Sequence, residues 1–328
     1  MVDQRSQSGR RERPTGAAAP GVLIGSHCSI AGGLHHAVDE AISLGLDCVQ
    51  VFTKNQRQWS SKPLQRTEVD AWRAALAAAG WDGSRVVSHN SYLVNLANPD
   101  AAARARSLAL QRDETERCEA LGIPACVMHP GAHLGTPRKP RDPNRLGEAP
   151  TDDELDGLRR IASSLDELHR HLTGYRTITL LETTVGSGTN LGYDFAHLRV
   201  IRDLVRQPER VGFCIDTCHI VAAGYDCSTA ARAKAVLERF DAECGLEHVH
   251  AVHVNDSIGA CGSRLDRHAH IGHGTCGESC FRAVLRHPKL LGRPMILETA
   301  KEDGPGGEPW DIVNARELRR LAGVRTAR

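Results

Sequence analysis

Eight short apolar runs punctuate the chain, and each stops on polar or ionisable residues. Val22–Gly25 leads to His27, Cys48–Phe52 to Thr53-Lys54-Asn55, Val86-Val87 to His89, and Ala125–Met128 to His129. Ile178–Leu181 leads to Glu182, Val211–Ile215 to Asp216, Val249–Val254 to Asn255-Asp256, and Met295–Leu297 to Glu298. Apolar runs this short, bounded by polar residues, predict buried strands. Between them lie segments with helical spacing: Leu34–Leu44, Glu68–Ala79 behind a Thr67 cap, Ala101–Leu121, and Asp152–Leu172. Thr151 and Glu154 form a capping-box pattern at the start of the last of these. Phe195–Val205, Thr229–Cys244, Ser279–Leu285 and Trp310–Leu321 complete eight helical segments.

Strands alternating with helices predict a parallel α/β fold. The count and the length favour a closed (β/α)8 TIM barrel over an open doubly wound sheet, and no Gly-x-Gly-x-x-Gly turn follows the first strand. Sites in such barrels sit at the C-terminal ends of the strands, which is where the His, Asp and Glu residues collect. The expected organisation is a disordered basic tail over residues 1–20 and one TIM-barrel domain over residues 21–328. Two loops on the C-terminal face are long, at residues 52–64 and 131–150; the second reads as a tolerated insertion.

Composition changes little in this picture. A hydrophobic content of 41% and a charged content of 25% describe a globular protein with an ample core. The net charge of +1 argues against a polyanion binder that works by bulk basicity, though not against a local positive site. Eleven cysteines are scattered through strands and helices without a Cys-x-x-Cys pair, and most read as buried thiols of an intracellular protein. The tail lacks the apolar stretch of a secretory signal, and no run approaches the length of a membrane span.

The chemistry lies in the strand ends. His89, His129, Glu182, Asp216, His219, His253 and Glu298 are candidate metal ligands. In the segment GSRLDRHAHIG, Asp266 and His268 would point the same way from an extended backbone. Five imidazoles and four carboxylates form a mixed nitrogen and oxygen set suited to Zn²⁺ and tolerable for Mn²⁺ or Fe. Nine ligands exceed the needs of one ion, so a cluster with a bridging carboxylate is expected. Three divalent ions against four carboxylates leave about +2, a charge that calls for an anion such as phosphate. His27, His133, His270 and His273 are expected nearer the site, as supports of the ligands.

The motifs GSHCSIAGGL, VFTKNQRQW, HNSYLVNL, VMHPGAHLG, NLGYDF, CIDTCHIVAAGYD, HVNDS, GSRLDRHAHIG and MILET together resemble the endonuclease IV family of zinc-dependent abasic-site endonucleases. The resemblance runs from about Gly25 to Glu298. It implies three Zn²⁺ per chain, with Mn²⁺ able to serve in part. His89, His129 and Glu182 would hold one ion; Glu182, Asp216, His253 and Glu298 a second; His219, Asp266 and His268 a third. Glu182 and Glu298 would be catalytic. Arg57, Tyr92 and Leu93 would enter the duplex at the lesion. The implied reaction is hydrolysis of the phosphodiester 5′ to an abasic site in double-stranded DNA, leaving 3′-hydroxyl and 5′-deoxyribose phosphate ends, with removal of 3′-blocking groups. A cytoplasmic monomer in DNA repair is expected. Thr183 replaces the Asn usual in the family, and His273 a common Glu, so a supporting hydrogen bond is expected to differ. The rival readings are a metal-dependent sugar isomerase or epimerase on a similar barrel, and a lesion-binding protein without catalysis.

Overall fold

A computed structural model describes residues 21–137 and 147–324. The expected 1–20 tail and the middle of the 131–150 insertion lie outside the described residues. Eight parallel strands close into a barrel: β1 (Leu23–His27), β2 (Cys48–Val51), β3 (Val86–His89), β4 (Ala125–Met128), β5 (Ile178–Glu182), β6 (Val211–Asp216), β7 (Val249–His253) and β10 (Pro294–Leu297). Chain order is spatial order, and β10 pairs with both β7 and β1 to close the ring. A two-stranded antiparallel ribbon, β8 (Asp256–Ser257) with β9 (His268–Ala269), stands between β7 and β10 in the chain.

The helices are α1 (His36–Ser43), α2 (Arg66–Ala79), α3 (Ala101–Leu121), α4 (Asp152–His171), α5 (Phe195–Leu204), α6 (Thr217–Ala223), α7 (Ala230–Cys244), α8 (Gly277–Leu285) and α9 (Trp310–Ala322). The predicted capping box at Thr151 and Glu154 is present. At α2 the box is formed instead by Gln65 and Glu68, so Thr67 lies inside the helix. Helix α6 was not expected. It starts within the stretch that carries Asp216 and His219, and Asp216 caps it. No helix among the described residues is long and apolar enough to cross a membrane.

Two separate cores follow from strand geometry. The larger lies between barrel and helices, where α4 contributes Leu158, Ile161, Leu165 and Leu168 at helical spacing. The smaller fills the barrel with Val87, Ala125, Val127, Leu180, Cys214 and Ala251. Side chains on a strand repeat their direction every second residue. The residues two positions beyond Val87, Val127, Leu180, Cys214 and Ala251 are His89, His129, Glu182, Asp216 and His253. The apolar floor of the barrel therefore continues upward as a layer of candidate ligands.

Close strand approach fixes one position on the opposite side of the barrel. A Cβ at Gly25 would lie against the carbonyl oxygen of Cys48 on β2 and 2.6 Å from its Sγ. Gly25→Ala is expected to lower stability by about 1–3 kcal/mol, an overpacking cost. Urea unfolding checks this, and an unchanged midpoint would show that the two strands can separate freely.

Candidate metal centre

All nine sequence-predicted ligands meet above the barrel floor. Three groups form in which the ligand atoms lie within 4.8 Å of one another: His89, His129 and Glu182; Glu182, Asp216, His253 and Glu298; and His219, Asp266 and His268. Glu182 joins the first two. Its Oε2 is 3.1 Å from Nε2 of both His89 and His129, while its Oε1 is 2.8 Å from His253 Nδ1 and 3.3 Å from His219 Nδ1. His253 Nδ1 also lies 3.1 Å from Glu298 Oε2 and 3.8 Å from Asp216 Oδ2. In the third group Asp266 Oδ1 is 3.2 Å from His219 Nε2 and 3.6 Å from His268 Nε2. The middle group is buried, except for the 13% exposed side chain of Glu298, whereas the side chains of His129 and Asp266 are 29% and 47% exposed. The centre thus opens on one side.

Backbone carbonyls orient three of the imidazoles. Nδ1 of His89 donates to the Asn90 carbonyl (2.8 Å), that of His219 to Thr183 (2.8 Å), and that of His268 to Glu298 (3.1 Å). A carbonyl only accepts, so Nδ1 carries a proton and Nε2 is the nitrogen turned to the centre. Asp216 is held from both ends. Its Oδ1 accepts the His219 amide at the first turn of α6, and its Oδ2 accepts from the Asn255 side chain (2.7 Å). Asn255 Oδ1 in turn accepts the Glu298 amide (2.7 Å), tying the ends of β6 and β10 together. The Thr183 hydroxyl accepts the Asp216 amide (2.9 Å), so this residue supports the centre through the backbone.

Asp256 builds the segment that carries Asp266 and His268. Its buried carboxylate accepts four amides, from Ser257 and Cys276 on Oδ1 and from Gly272 and Gly274 on Oδ2, at 2.9–3.1 Å. Of the four histidines expected near the site, only His27 touches a candidate ligand, with Nδ1 3.8 Å from Glu298 Oε1. His270 stacks on Trp310 and His273 meets the same ring edge-on, so the His273 substitution falls away from the ligands. His133 accepts the Gly135 amide.

Electrostatics match a cation-binding centre. Burial alone would raise the Glu182 carboxyl, but the charges of His253 and His129 and the hydrogen bonds of His129 and His219 hold it well below the usual range. Glu298 is held down in the same way, against burial, by His253 and His27. Burial pulls His219 and His253 down, yet the carboxylates around His219, and Cys214 with Glu298 and Glu182 around His253, leave both well above the ordinary imidazole value. Asp266 is lowered to about 2, its partial burial being outweighed by the His219 hydrogen bond and charge. The ion pairs of Glu182 among the described residues are all with imidazoles, which suits a set of ligands better than a structural salt bridge. Cys218 also lies near Asp216 and His268; burial raises its thiol to about 12, and its Sγ donates to the Arg267 carbonyl at 3.7 Å.

Arg57 and Tyr92 are exposed on the loops after β2 and β3, and Tyr92 stands 5.4 Å from the His89 ring and 6.0 Å from that of His129. Leu93 is half-buried, packed against the outer core. Both loops rest on α3. Glu114 accepts the Ser91 amide (2.9 Å) and faces Lys54 (3.8 Å), whose Nζ donates to the Gln58 carbonyl (2.6 Å). Sequence reasoning passed over two residues of the site. Gln50 lies inside the centre, and its signal was an amide in the middle of the apolar run CVQVF. Asp256 was read only as a polar strand end.

A family model described as a xylose isomerase-like TIM barrel matches residues 38–321. A protein of Trichlorobacter lovleyi named a probable endonuclease 4 is 41% identical over 298 residues, covering 91% of this chain and 99% of that protein. A probable endonuclease 4 of Chloroflexus aggregans is 40% identical over 298 residues, with 91% and 98% covered. The crystal structure of endonuclease IV from Thermus thermophilus superposes with a TM-score of 0.74 at 35% identity, covering 92% of this chain and 100% of that one. A D-tagatose 3-epimerase-like protein superposes with a TM-score of 0.64 at 17% identity, a likeness of fold alone.

Asp256→Asn keeps one carboxylate oxygen's worth of acceptor and leaves two amides unmatched. A loss of about 2–5 kcal/mol is expected, since each unsatisfied buried donor costs about 1–3 kcal/mol. Hydrogen exchange should accelerate at Gly272, Gly274 and Cys276, and unchanged protection there would remove Asp256 from this role.

Proposed function

The chain belongs to the endonuclease IV family, and from that premise we propose that it is a DNA-repair endonuclease that hydrolyses the phosphodiester bond 5′ to abasic sites in duplex DNA. The products are a 3′-hydroxyl and a 5′-deoxyribose phosphate, and blocked 3′ ends are a further substrate. One observation carries the reading: nine candidate nitrogen and oxygen ligands in three adjacent groups, two of which share Glu182. A set of that size suits three Zn²⁺, with Mn²⁺ able to fill part of it. His89, His129 and Glu182 would hold one ion, Glu182, Asp216, His253 and Glu298 the second, and His219, Asp266 and His268 the third. Bound there, the ions supply Lewis acidity toward a phosphate and acidify water.

The chain's own residues do the rest. Glu182, wholly buried, holds the first two groups at one spacing. Glu298 is the carboxylate of the middle group with exposed surface, so it is the member of that group placed to orient a water toward a phosphate. Tyr92 and Arg57, exposed on neighbouring loops at the edge of the centre, are suited to enter the base stack, with Leu93 behind Tyr92. A nucleotide without a base costs least to extrude, so this entry favours abasic sites.

A 5′-labelled duplex with one abasic analogue should be cut once, on the 5′ side of the analogue, and strong chelation should abolish the cut. Elemental analysis should find three divalent ions per chain, one for each ligand group. Uncut duplex together with turnover of a keto-sugar would favour the isomerase. Glu298→Gln is expected to slow cleavage by about 100-fold or more while lesion binding changes little, as for loss of one group acting on the transition state. Turnover at the wild-type rate would take Glu298 out of the chemistry.

A further inference from the structure

The three imidazoles oriented by backbone carbonyls are fixed by the fold itself. His253 is different. Its Nδ1, not Nε2, faces Glu182, Glu298 and Asp216, and its Nε2 meets a side chain, the Oε1 of Gln50, at 2.8 Å. Gln50 sits in the middle of β2 with no exposed surface. An amide buried there must find partners for both ends. Its Nε2 donates to Glu298 Oε1 (2.7 Å) and to His27 Nδ1 (3.0 Å).

The hydrogen-bonding roles then follow without further choice. A carboxylate only accepts, so the amide nitrogen must face Glu298 and the amide oxygen must face His253. That oxygen also only accepts, so the ring proton of His253 sits on Nε2. In the neutral form that a metal ion requires, the ring would then offer its lone pair on Nδ1, the nitrogen that points at the three carboxylates. The same amide engages Oε1 of Glu298 and leaves Oε2, 3.1 Å from His253 Nδ1, as the oxygen turned to the middle group.

We propose that Gln50 is a positioning residue that sets both the tautomer of His253 and the ligating oxygen of Glu298, and so governs affinity at the middle of the three metal positions. The proposal rests on the metal reading above. Unlike a carbonyl, Gln50 can be replaced. Outer partners of metal ligands typically contribute about 10–100-fold in affinity.

The test compares wild type with Gln50→Met, which keeps length and bulk and removes both polar ends. Both proteins are stripped with chelator, titrated with zinc against a competing chelator dye, and counted by elemental analysis. The expected result is three ions on wild type, and in Gln50→Met two ions held as before and one weakened by about 10–100-fold. Three ions at wild-type affinity on Gln50→Met would overturn the proposal and leave the metal reading intact. A wild type that binds no zinc would overturn both. A merely space-filling role for Gln50 would shift metal-free melting without moving one ion selectively. A second measurement needs no variant: long-range ¹H–¹⁵N spectra of zinc-loaded wild type should place the His253 ring proton on Nε2. A proton on Nδ1 would overturn the proposal even if Gln50→Met fails to fold.

Discussion

A carboxylate with no contact with water remains ionised only where positive charge or donors surround it closely. Glu182 meets that condition through four imidazoles, which come from β3, β7, α6 and the residue after β4. No single strand could supply them. Only a closed parallel barrel turns every strand end toward one point, and only the two-residue repeat lets the apolar floor and the ligand layer share the same strand faces. The centre is the place where an otherwise uniform core changes from hydrocarbon to charge within two residues.

Much of this was legible beforehand because it depended on local pattern. Strand ends could be read from apolar runs that stop on His, Asp or Glu, and most of the nine candidate ligands follow from them and from the Asp266-x-His268 segment. What escaped notice depended on distance in space. Helix α6 is seven residues long, too short to show a helical repeat, and its start is set by Asp216 acting as a cap. Gln50 was absorbed into an apolar run because its three partners, His27, His253 and Glu298, are remote along the chain. The role of Asp256 depends on amides sixteen to twenty residues away. Leu93, expected to reach outward beside Tyr92, rests partly in the core.

The barrel by itself says little about chemistry. An epimerase-like protein shares it at 17% identity, as expected when function resides in a site grafted on a common fold. What separates the two possibilities is the number of ligands and the character of the rim. The middle group of candidate ligands is buried while His129, Asp266 and Tyr92 leave its rim exposed, whereas a small sugar is better served by an enclosed pocket.

Glu114 gives that rim a further property. One buried carboxylate receives the loop of Tyr92 through the Ser91 amide and faces the lysine that holds the loop of Arg57, and the Ser91 hydroxyl reaches across to the Gln56 carbonyl. Arg117, one turn further along α3, clasps Ser61 and Lys62 of the same stretch. The two loops are therefore one part, fastened to each other and to a single helix. Grafting either alone onto another barrel would bring half a jaw; the transferable unit is both loops together with the polar face of α3.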